Sequence, residues 1–254
     1  MDTSTLKNLY LRTNVEIHLA TGGQVKIAPG RIVLRCTHLP EDLERNQIIY
    51  PSVPSSWDEV RSHVAAAGLG ALSFSSPGGS RRRLSTFTMH GHHVRQLSVL
   101  QWQAQSKKEP SAKLTVLSTD NDWQAAIRLR HSQHIPGVDR TQYFDFTKRR
   151  MAMYRHACNA GIGRWFGLMV NHRLVSTCGV MCPHGALARF RLVLTHPSDR
   201  RRGYAAQLVR SAAQYMMSEC TASAVLITAL SGSSAERIYE SAGFQPIQSA
   251  FQIS

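Results

Sequence analysis

The chain has 254 residues, of which 43% are hydrophobic and 18% charged; this composition is globular and excludes a disordered tail or a small disulfide-stapled domain. No run of about 18 apolar residues occurs and the polar start Met1–Leu6 resembles no secretory signal, so the sequence predicts a cytosolic protein without a membrane span. Thirty Lys and Arg against sixteen Asp and Glu give a net charge of +14, which favours an anionic ligand: nucleic acid, anionic lipid or a phosphate-rich cofactor.

The first hundred residues read as short strands joined by turns. Alternation predicts a strand at Val15–Leu19, and Ser56 with Glu59 predicts a capped helix from Trp57 to about Ala67. The glycine- and arginine-rich stretch Ser73–Arg83 is expected to be a surface loop. Further strands are expected at Ile32–Leu34, Ser85–Met89 and Val94–Leu100.

The polar segment Gln105–Lys113 is the predicted linker, so we expect an N-terminal α/β domain at residues 1–112 and a second domain at residues 113–254. The second half predicts a strand, two helices, three antiparallel strands, a helix, a strand, a helix and a final strand. Its strands are expected at Leu114–Leu117, Trp165–Val170, Leu174–Met181, Leu187–Leu194, Ala224–Leu230 and Phe244–Ile253. Its helices are expected after the capping pair Thr119 and Asp122, and at Tyr143–Ala160, Ala205–Glu219 and Ser234–Ala242.

The stretch most suggestive of chemistry follows the predicted strand Leu187–Leu194. A buried strand ends at Thr195, a loop with three arginines follows, and a helix begins after Gly203. Small residues there let backbone N–H groups approach a ligand, and a helix N-terminus carries partial positive charge. The arrangement suits a pyrophosphate, although a solvated basic turn is the alternative interpretation.

Arg200-x-x-Gly203-x-Ala205 resembles the acyl-CoA signature Arg/Gln-x-x-Gly-x-Gly/Ala of the GCN5-related N-acetyltransferase (GNAT) superfamily. The stretch Ala235–Phe244 resembles that superfamily's second signature, Ala-x-x-x-Tyr-x-x-x-Gly-Phe, and the element order from Leu114 onward also matches. The resemblance implies an α/β fold with a mixed, mostly antiparallel sheet flanked by helices. Ahead of it, Tyr50–Trp57 resembles the front half of bacterial two-domain acetyltransferases, in which a smaller, degenerate domain of similar fold precedes the active one.

The resemblance implies transfer of an acetyl group from acetyl-CoA directly to an amine of a small molecule or peptide. Tyr239 would protonate the departing thiolate, and a backbone N–H at Leu194 or Thr195 would polarise the carbonyl. The strand before the loop would separate from its neighbour to receive the pantetheine arm. The implied cofactor-binding residues are Val193, Leu194, Thr195, Arg200, Arg201, Arg202, Gly203, Tyr204 and Ala205.

Two departures from the family pattern concern the acceptor and the cofactor. The strand Leu187–Leu192 lacks the glutamate that many members carry as a base, which favours the alternative of a catalytically degenerate acyl-CoA-binding or anionic-partner-binding module. Gly232 stands where members often have a cofactor-contacting Asn, so either Ser231 or Ser233 substitutes through a hydroxyl or the contact is absent. A water chain is one candidate base, and the others are His131, His134, Asp139 and Asp145.

The remaining clusters predict neither a metal site nor a nucleic-acid site. His90-x-His92-His93 and Cys178-x3-Cys182-x-His184 each lack a second pair of ligands. Arg81–Arg83 and Lys148–Arg150 are not accompanied by a known nucleic-acid-binding motif. The five scattered cysteines are expected to be reduced thiols, none placed as a nucleophile.

Overall fold

The computed structural model describes residues 8–69, 74–76, 93–103, 113–134 and 136–253. The helices among them are α1 Leu9–Ala20, α2 Trp57–Ala66, α3 Asp120–His131, α4 Arg140–Asn159, α5 Tyr204–Ser218 and α6 Ser234–Ser241. The strands are β1 Gln24–Ala28, β2 Arg31–Arg35, β3 Gln47–Ile49, β4 Phe74–Ser76, β5 Val94–Trp102, β6 Leu114–Val116, β7 Gly163–Val170, β8 Arg173–Met181, β9 Leu187–Thr195, β10 Ala224–Leu230 and β11 Phe244–Ile253.

The described residues form two compact units. The first contains the residues up to Val99, Thr228–Glu236 and the residues from Pro246 onward; the second contains Leu100–Ile227 and Arg237–Gln245. The boundary between them falls inside β5, β10, α6 and β11, so each of these elements contributes to both units. The expected domain boundary after residue 112 lies at a segment outside the described residues and stays a prediction.

In the first unit the strand order is β1-β2-β3-β4-β11-β5, with β3 and β4 parallel and β1, β2 and β3 antiparallel. Successive residues of β2 point to opposite faces of the sheet. Ile32 and Leu34 are buried in one cluster with Leu11 of α1. Val33 is buried in a second cluster with Val60 of α2. The unit therefore has a core on each face of its sheet, one for each helix.

The predicted strand at Val15–Leu19 is wrong, because these residues lie within α1. The Asn8 side chain accepts the Leu11 N–H at 3.1 Å and begins the helix. Tyr10, Asn14 and Ile17 are all buried, at the i, i+4, i+7 spacing of a helix, which a five-residue window around Ile17 is too short to reveal.

The prediction of a loop at Ser73–Arg83 is wrong for Phe74–Ser76, which form β4. The rest of that stretch, the predicted strand Ser85–Met89 and nearly all of the predicted linker lie outside the described residues.

In the second unit the strand order is β10-β9-β8-β7-β6, parallel between β9 and β10 and antiparallel elsewhere. The Trp165 ring of β7 contacts Trp123 of α3 at 5.4 Å and Tyr154 of α4 at 5.2 Å between centroids. The next residue, Phe166, contacts Tyr215 of α5 at 5.2 Å. Alternate residues point to opposite faces, so α3 and α4 cover one face and α5 the other.

The predicted elements from Leu114 onward are confirmed, with ends shifted by a few residues. The capping box is present: Thr119 accepts the Asp122 N–H at 3.2 Å, and the Asp122 carboxylate accepts the Thr119 N–H at 2.9 Å. Gly161, with φ +78°, follows α4, as expected for a C-terminal glycine. The fold class is also confirmed: both units are mixed and mostly antiparallel, with flanking helices. Within the described ranges no helix has the length and apolar character to cross a membrane.

Candidate active site

A β-bulge interrupts β9 beside the centre of β8. On β8 a single residue, Cys178, separates Thr177 from Gly179, whereas two residues, Leu192 and Val193, separate their partners on β9. Leu192 has φ +50°, in the left-handed region that a non-glycine residue adopts rarely. The extra residue bends the strand and increases its local twist.

The second half of β9 also leaves its parallel neighbour. The ladder between β9 and β10 pairs Leu187–Arg189 with Ala224–Leu226 and goes no further in the described chain. The segment Arg191–Thr195 is partly exposed, unlike the buried first half of the strand. Backbone groups on this edge are therefore available to an extended ligand, as expected for the end of this strand.

The loop after β9 is built around one buried carboxylate. Asp199 ends a single 3₁₀ turn, Pro197–Asp199, and is 4% exposed. Its oxygens lie 2.8 Å from Arg173 and 3.8 Å from Arg202. Burial would raise the pKa of Asp199, but hydrogen bonds from Arg173 and Ser198 and the charges of Arg173 and Arg202 outweigh it and hold the pKa below its usual range. Asp199 is thus bonded to Arg173 and attracts the exposed Arg202 from 3.8 Å; the motif alone gave no indication of either contact.

The N-terminus of α5 is open. Gly203 precedes its first residue with φ +79°, no side chain caps it, and its first turn carries no acidic residue. Within the described part of the chain no hydrogen-bond acceptor meets the backbone N–H groups of residues 201–206. A β-carbon at Gly203 would have no atom within 4 Å. Uncapped N–H groups and the helix dipole together favour an anion.

The three arginines of the loop have different surroundings. Arg200 donates to the Gln133 side chain, and its Nε lies 3.5 Å from the Thr195 carbonyl oxygen. Gln133 also donates to that carbonyl, at 3.4 Å, so the segment after α3 is joined to the end of β9. Arg201 and Arg202 are both exposed; Arg202 lies 3.8 Å from Asp199, and Arg201 has no partner among the described residues.

Tyr239 lies on α6 and is 8% exposed, and its hydroxyl has no hydrogen-bond partner in the part of the chain that the structure describes. Burial raises the pKa of Tyr239, and the nearby Cys178 thiol raises it further. Cys178 is the residue opposite the β9 bulge, so Tyr239 and the bulge are near the same residue. Arg210 of α5 donates to the Ser241 carbonyl at 2.9 Å and ties the end of α6 to α5.

Three of the four side-chain candidates for the base already have partners. Asp139 caps α4 through a hydrogen bond from a backbone N–H, and Asp145 is exposed at 3.9 Å from Lys148. The Nε2 atom of His134 is 2.8 Å from the Val138 carbonyl oxygen.

The fourth candidate, His131, has a buried ring nitrogen without a partner in the described residues and a lowered pKa. Its ring stacks on Phe144 at 3.8 Å between centroids, and its Nε2 atom is buried without a partner in the described chain. Burial lowers the pKa of His131, and the charges of Lys148 and Arg140 lower it further, against a hydrogen bond to the Phe144 backbone. It is thus unprotonated near neutral pH, as a base must be.

The two serines beside Gly232 are already engaged. The Ser231 hydroxyl lies 2.8 Å from that of Ser98, and the Ser233 hydroxyl accepts the Glu236 N–H at 3.2 Å. Gly232 itself has φ +77°, and its N–H bonds to Glu236 at 2.5 Å. The glycine thus fits a left-handed turn.

The other clusters lie only partly within the described residues. Cys178 and Cys182 are buried and form no disulfide, and no group of three or more His, Cys, Asp or Glu that could hold a metal occurs where the structure is described. Lys148 is exposed, but Arg150 is buried with its guanidinium 5.7 Å from the Phe146 ring centre. The arginines 81–83 and histidines 90 and 92 lie outside the described residues.

Comparison with known proteins supports the resemblance found in the sequence. Residues 167–252 match the family described as FR47-like protein. No curated protein matches the chain.

The fold recurs over nearly the whole chain in solved structures. A conserved protein of unknown function from Staphylococcus epidermidis ATCC 12228 has a TM-score of 0.70 at 14% identity, over 92% of this chain and 94% of the other. A GCN5-related N-acetyltransferase from Kribbella flavida has a TM-score of 0.66 at 14% identity, over 97% and 94%. Another from Sphaerobacter thermophilus has a TM-score of 0.54 at 14% identity, over 88% and 76%. Residues 167–252 are thus similar to the FR47-like family, and the chain has the fold of the GCN5-related N-acetyltransferase superfamily.

Proposed function

We propose that the protein transfers an acetyl group from acetyl-CoA directly to an amine of a small molecule or peptide. The fold supports acyl transfer in general. The proposal is carried by two features that follow one another along the chain: strand β9, which has a bulge and pairs with β10 over only its first half, and the uncapped N-terminus of α5. The hydroxyl of Tyr239, which has no partner in the described residues, is near Cys178, the residue opposite the bulge.

In this proposal the cofactor lies along the second half of β9. The edge of β9 that does not pair with β10 would form backbone hydrogen bonds with the pantetheine amides, as an additional β-strand would. The N–H groups of residues 201–206 would bind the pyrophosphate, and the unpaired Arg201 would add a charged contact. Val193–Thr195 and Arg200–Ala205 then have the roles that the sequence motif implies.

The chemistry follows from the groups near the bulge. The amine nitrogen attacks the thioester carbonyl carbon, a C–N bond forms, and the C–S bond breaks as its electron pair moves to sulfur. Tyr239 gives its proton to that sulfur, and a backbone N–H at Leu194 or Thr195 stabilises the oxyanion. The amine proton leaves to His131 or to water. The products are an amide and CoA with a free thiol.

Direct transfer predicts no acetyl-enzyme. Full burial raises the pKa of Cys178, and burial raises that of Cys158 to about 12, so neither is a thiolate near neutral pH. Intact-mass spectrometry after incubation with acetyl-CoA, without amine, should show an unmodified chain. A stoichiometric acetyl adduct that added amine removes would contradict direct transfer.

The first test is ligand-induced stabilisation, with acetyl-CoA, CoA and ADP compared at fixed salt. A ligand at about 100 times its Kd adds roughly 2.7 kcal/mol, which corresponds to a rise in melting temperature of about 5–10 °C for a protein of this size. Both CoA forms should stabilise the protein and ADP should have little effect. An equal response to any polyanion, or none at all, would instead indicate a degenerate module with a basic surface.

The second test is turnover. Release of the CoA thiol should depend on an added amine, and the product should be the acetylated amine. Binding of acetyl-CoA without turnover for any amine in a broad panel would refute catalysis while leaving the cofactor site intact.

A further inference from the structure

The loop between β9 and α5 is strained close to the N–H groups that are proposed to bind the pyrophosphate. Arg201 has φ +62°, in the left-handed region that a non-glycine residue adopts rarely, and Gly203 follows with φ +79°. Such a conformation costs a non-glycine residue energy, so it persists only where the surrounding structure fixes it. The N–H groups of residues 201–206 meet no acceptor in the described chain, so they do not fix it. The residues on either side of this segment therefore hold the loop.

Asp199 lies two residues before Arg201 and is the buried residue nearest to it in the sequence. The Nη2 atom of Arg173 lies 2.9 Å from the Oδ1 atom of Asp199 and 2.8 Å from its Oδ2 atom. The Ser198 hydroxyl donates to the same carboxylate at 3.2 Å. The pKa of Asp199 is held below its usual range, so the carboxylate is ionised near neutral pH. A charged pair between Asp199 and Arg173 thus fixes the chain just before its strained residue.

Arg173 is itself fixed by the hairpin of β7 and β8. It follows a two-residue turn, Asn171 and His172, whose φ angles are +47° and +60°. A turn with two left-handed residues matches the twist of the flanking strands, and asparagine is favoured at its first position. Further along β8, the buried Ser176 hydroxyl donates to the Leu194 carbonyl at 2.8 Å and joins the hairpin to the end of β9. The arginine is therefore well placed to hold the loop.

We propose that Asp199 and Arg173 are positioning residues for the cofactor, a role that rests on the proposed acetyl transfer from acetyl-CoA. Their ion pair holds the loop in the conformation that leaves the N–H groups of residues 201–206 free to bind the pyrophosphate. Neither side chain needs to touch the cofactor. The Asp199 carboxylate is a negative charge close to the pyrophosphate site, and by itself it weakens the binding of an anion. The benefit of a fixed loop has to exceed this repulsion.

Calorimetric titration with CoA distinguishes positioning from charge, because the two predict opposite changes in Kd. In Asp199→Asn a negative charge is removed, and charge alone would lower the Kd for CoA. Loss of positioning should instead raise the Kd on the order of 10-fold, since only a fraction of the protein then has the binding conformation. Asp120→Asn is the control: it removes the same charge from an exposed ion pair with Arg155 and should leave the Kd within about twofold.

Arg173→Gln tests the other member of the pair, and the fold should tolerate it because the Arg173 side chain is half-exposed. It should also raise the Kd on the order of 10-fold, and the double variant with Asp199→Asn should bind CoA no more weakly than either single variant. If charge alone governs binding, the two single substitutions have opposite effects that cancel in the double variant. Arg173→Lys keeps a charged nitrogen for the carboxylate and should retain most of the affinity.

Turnover provides a readout that a general loss of folding would not reproduce. In Asp199→Asn the KM for acetyl-CoA should rise with the Kd while kcat at saturating acetyl-CoA stays near the wild-type value, because the bound cofactor then fixes the loop. A Kd for CoA that is unchanged or lower in Asp199→Asn overturns the proposal, as do single effects that cancel in the double variant. A fall in kcat with an unchanged KM also overturns it.

The wild type separates this proposal from the proposed function. Wild-type protein that binds no CoA refutes the cofactor site, and the positioning role falls with it. Wild-type protein that binds CoA but acetylates no amine refutes the acetyl transfer alone, and the Kd values of Asp199→Asn and Arg173→Gln then decide the positioning role.

Discussion

Gly203→Glu should abolish CoA binding, with an increase in Kd of at least about 100-fold, while the protein stays folded. Two like charges about 4 Å apart repel by roughly 4 kcal/mol at an effective dielectric constant of about 20, enough for an effect of this size. A glutamate at this position would place its carboxylate at an N-terminus that has no acidic residue in its first turn. Calorimetric titration with CoA measures the change directly.

The fold should tolerate this substitution. A β-carbon at Gly203 meets no atom within 4 Å, so no clash arises, and the cost comes from the positive φ of +79°. That cost is roughly 1–2 kcal/mol for a non-glycine residue, which corresponds to a fall of a few degrees in melting temperature.

Gly203→Ala is the matched control, because it has the same backbone strain without the charge. Its Kd for CoA should stay within about tenfold of the wild-type value, and its melting temperature should fall as much as that of Gly203→Glu. If both variants lose binding equally, backbone conformation rather than charge is responsible. If Gly203→Glu binds CoA normally, the loop does not hold the pyrophosphate and the assignment of the motif fails.

The elements of the second half were predictable because their signals are local. The capping box at Thr119, the glycine after α4 and the Gly203 step each mark an end of a helix within a few residues of sequence. Strands β7 and β8 are buried along most of their length, so they stand out as apolar runs bounded by turn residues. The five residues Val15–Leu19 are too few to distinguish a helix from a strand. The helix begins outside this segment, where the Asn8 side chain accepts the Leu11 N–H.

The geometry of the site was less predictable because it depends on pairing between distant residues. Leu192 has a left-handed φ that its residue type does not favour, so only the ladder with β8 reveals the bulge. The burial of Asp199 and the contact of Gln133 with Thr195 likewise depend on tertiary packing.

Tyr239→Phe should lower kcat about 100- to 1,000-fold and leave the Kd for acetyl-CoA nearly unchanged. A positioned general acid contributes about this much to a rate, and the aromatic ring that packs near Phe244 is retained. The hydroxyl has no partner in the described chain, so its removal leaves no donor or acceptor unsatisfied and should not lower the melting temperature. Steady-state kinetics and calorimetry on the same preparation test the two halves of this statement.

Tyr215→Phe is the control, because it removes the same atom from a tyrosine of α5 that packs edge-on against Phe166. It should retain wild-type kcat. Equal activity in Tyr239→Phe and the wild type would exclude Tyr239 as the acid, whereas a matching loss in both variants would indicate a packing effect.

The pH profile provides a separate test of the same role. Because burial raises the pKa of Tyr239 above the ordinary value of about 10, the phenol keeps its proton throughout the range in which the enzyme is assayed. An acid acts in its protonated form, so Tyr239 should impose no fall in kcat up to about pH 10.

The pKa of His131 is lowered, so if His131 is the base, activity should fall only when the pH drops below the ordinary pKa of a histidine. A decline of kcat between about pH 8 and 10 that is absent from Tyr239→Phe would show that the phenol titrates in the assay range, which contradicts the effect of its burial.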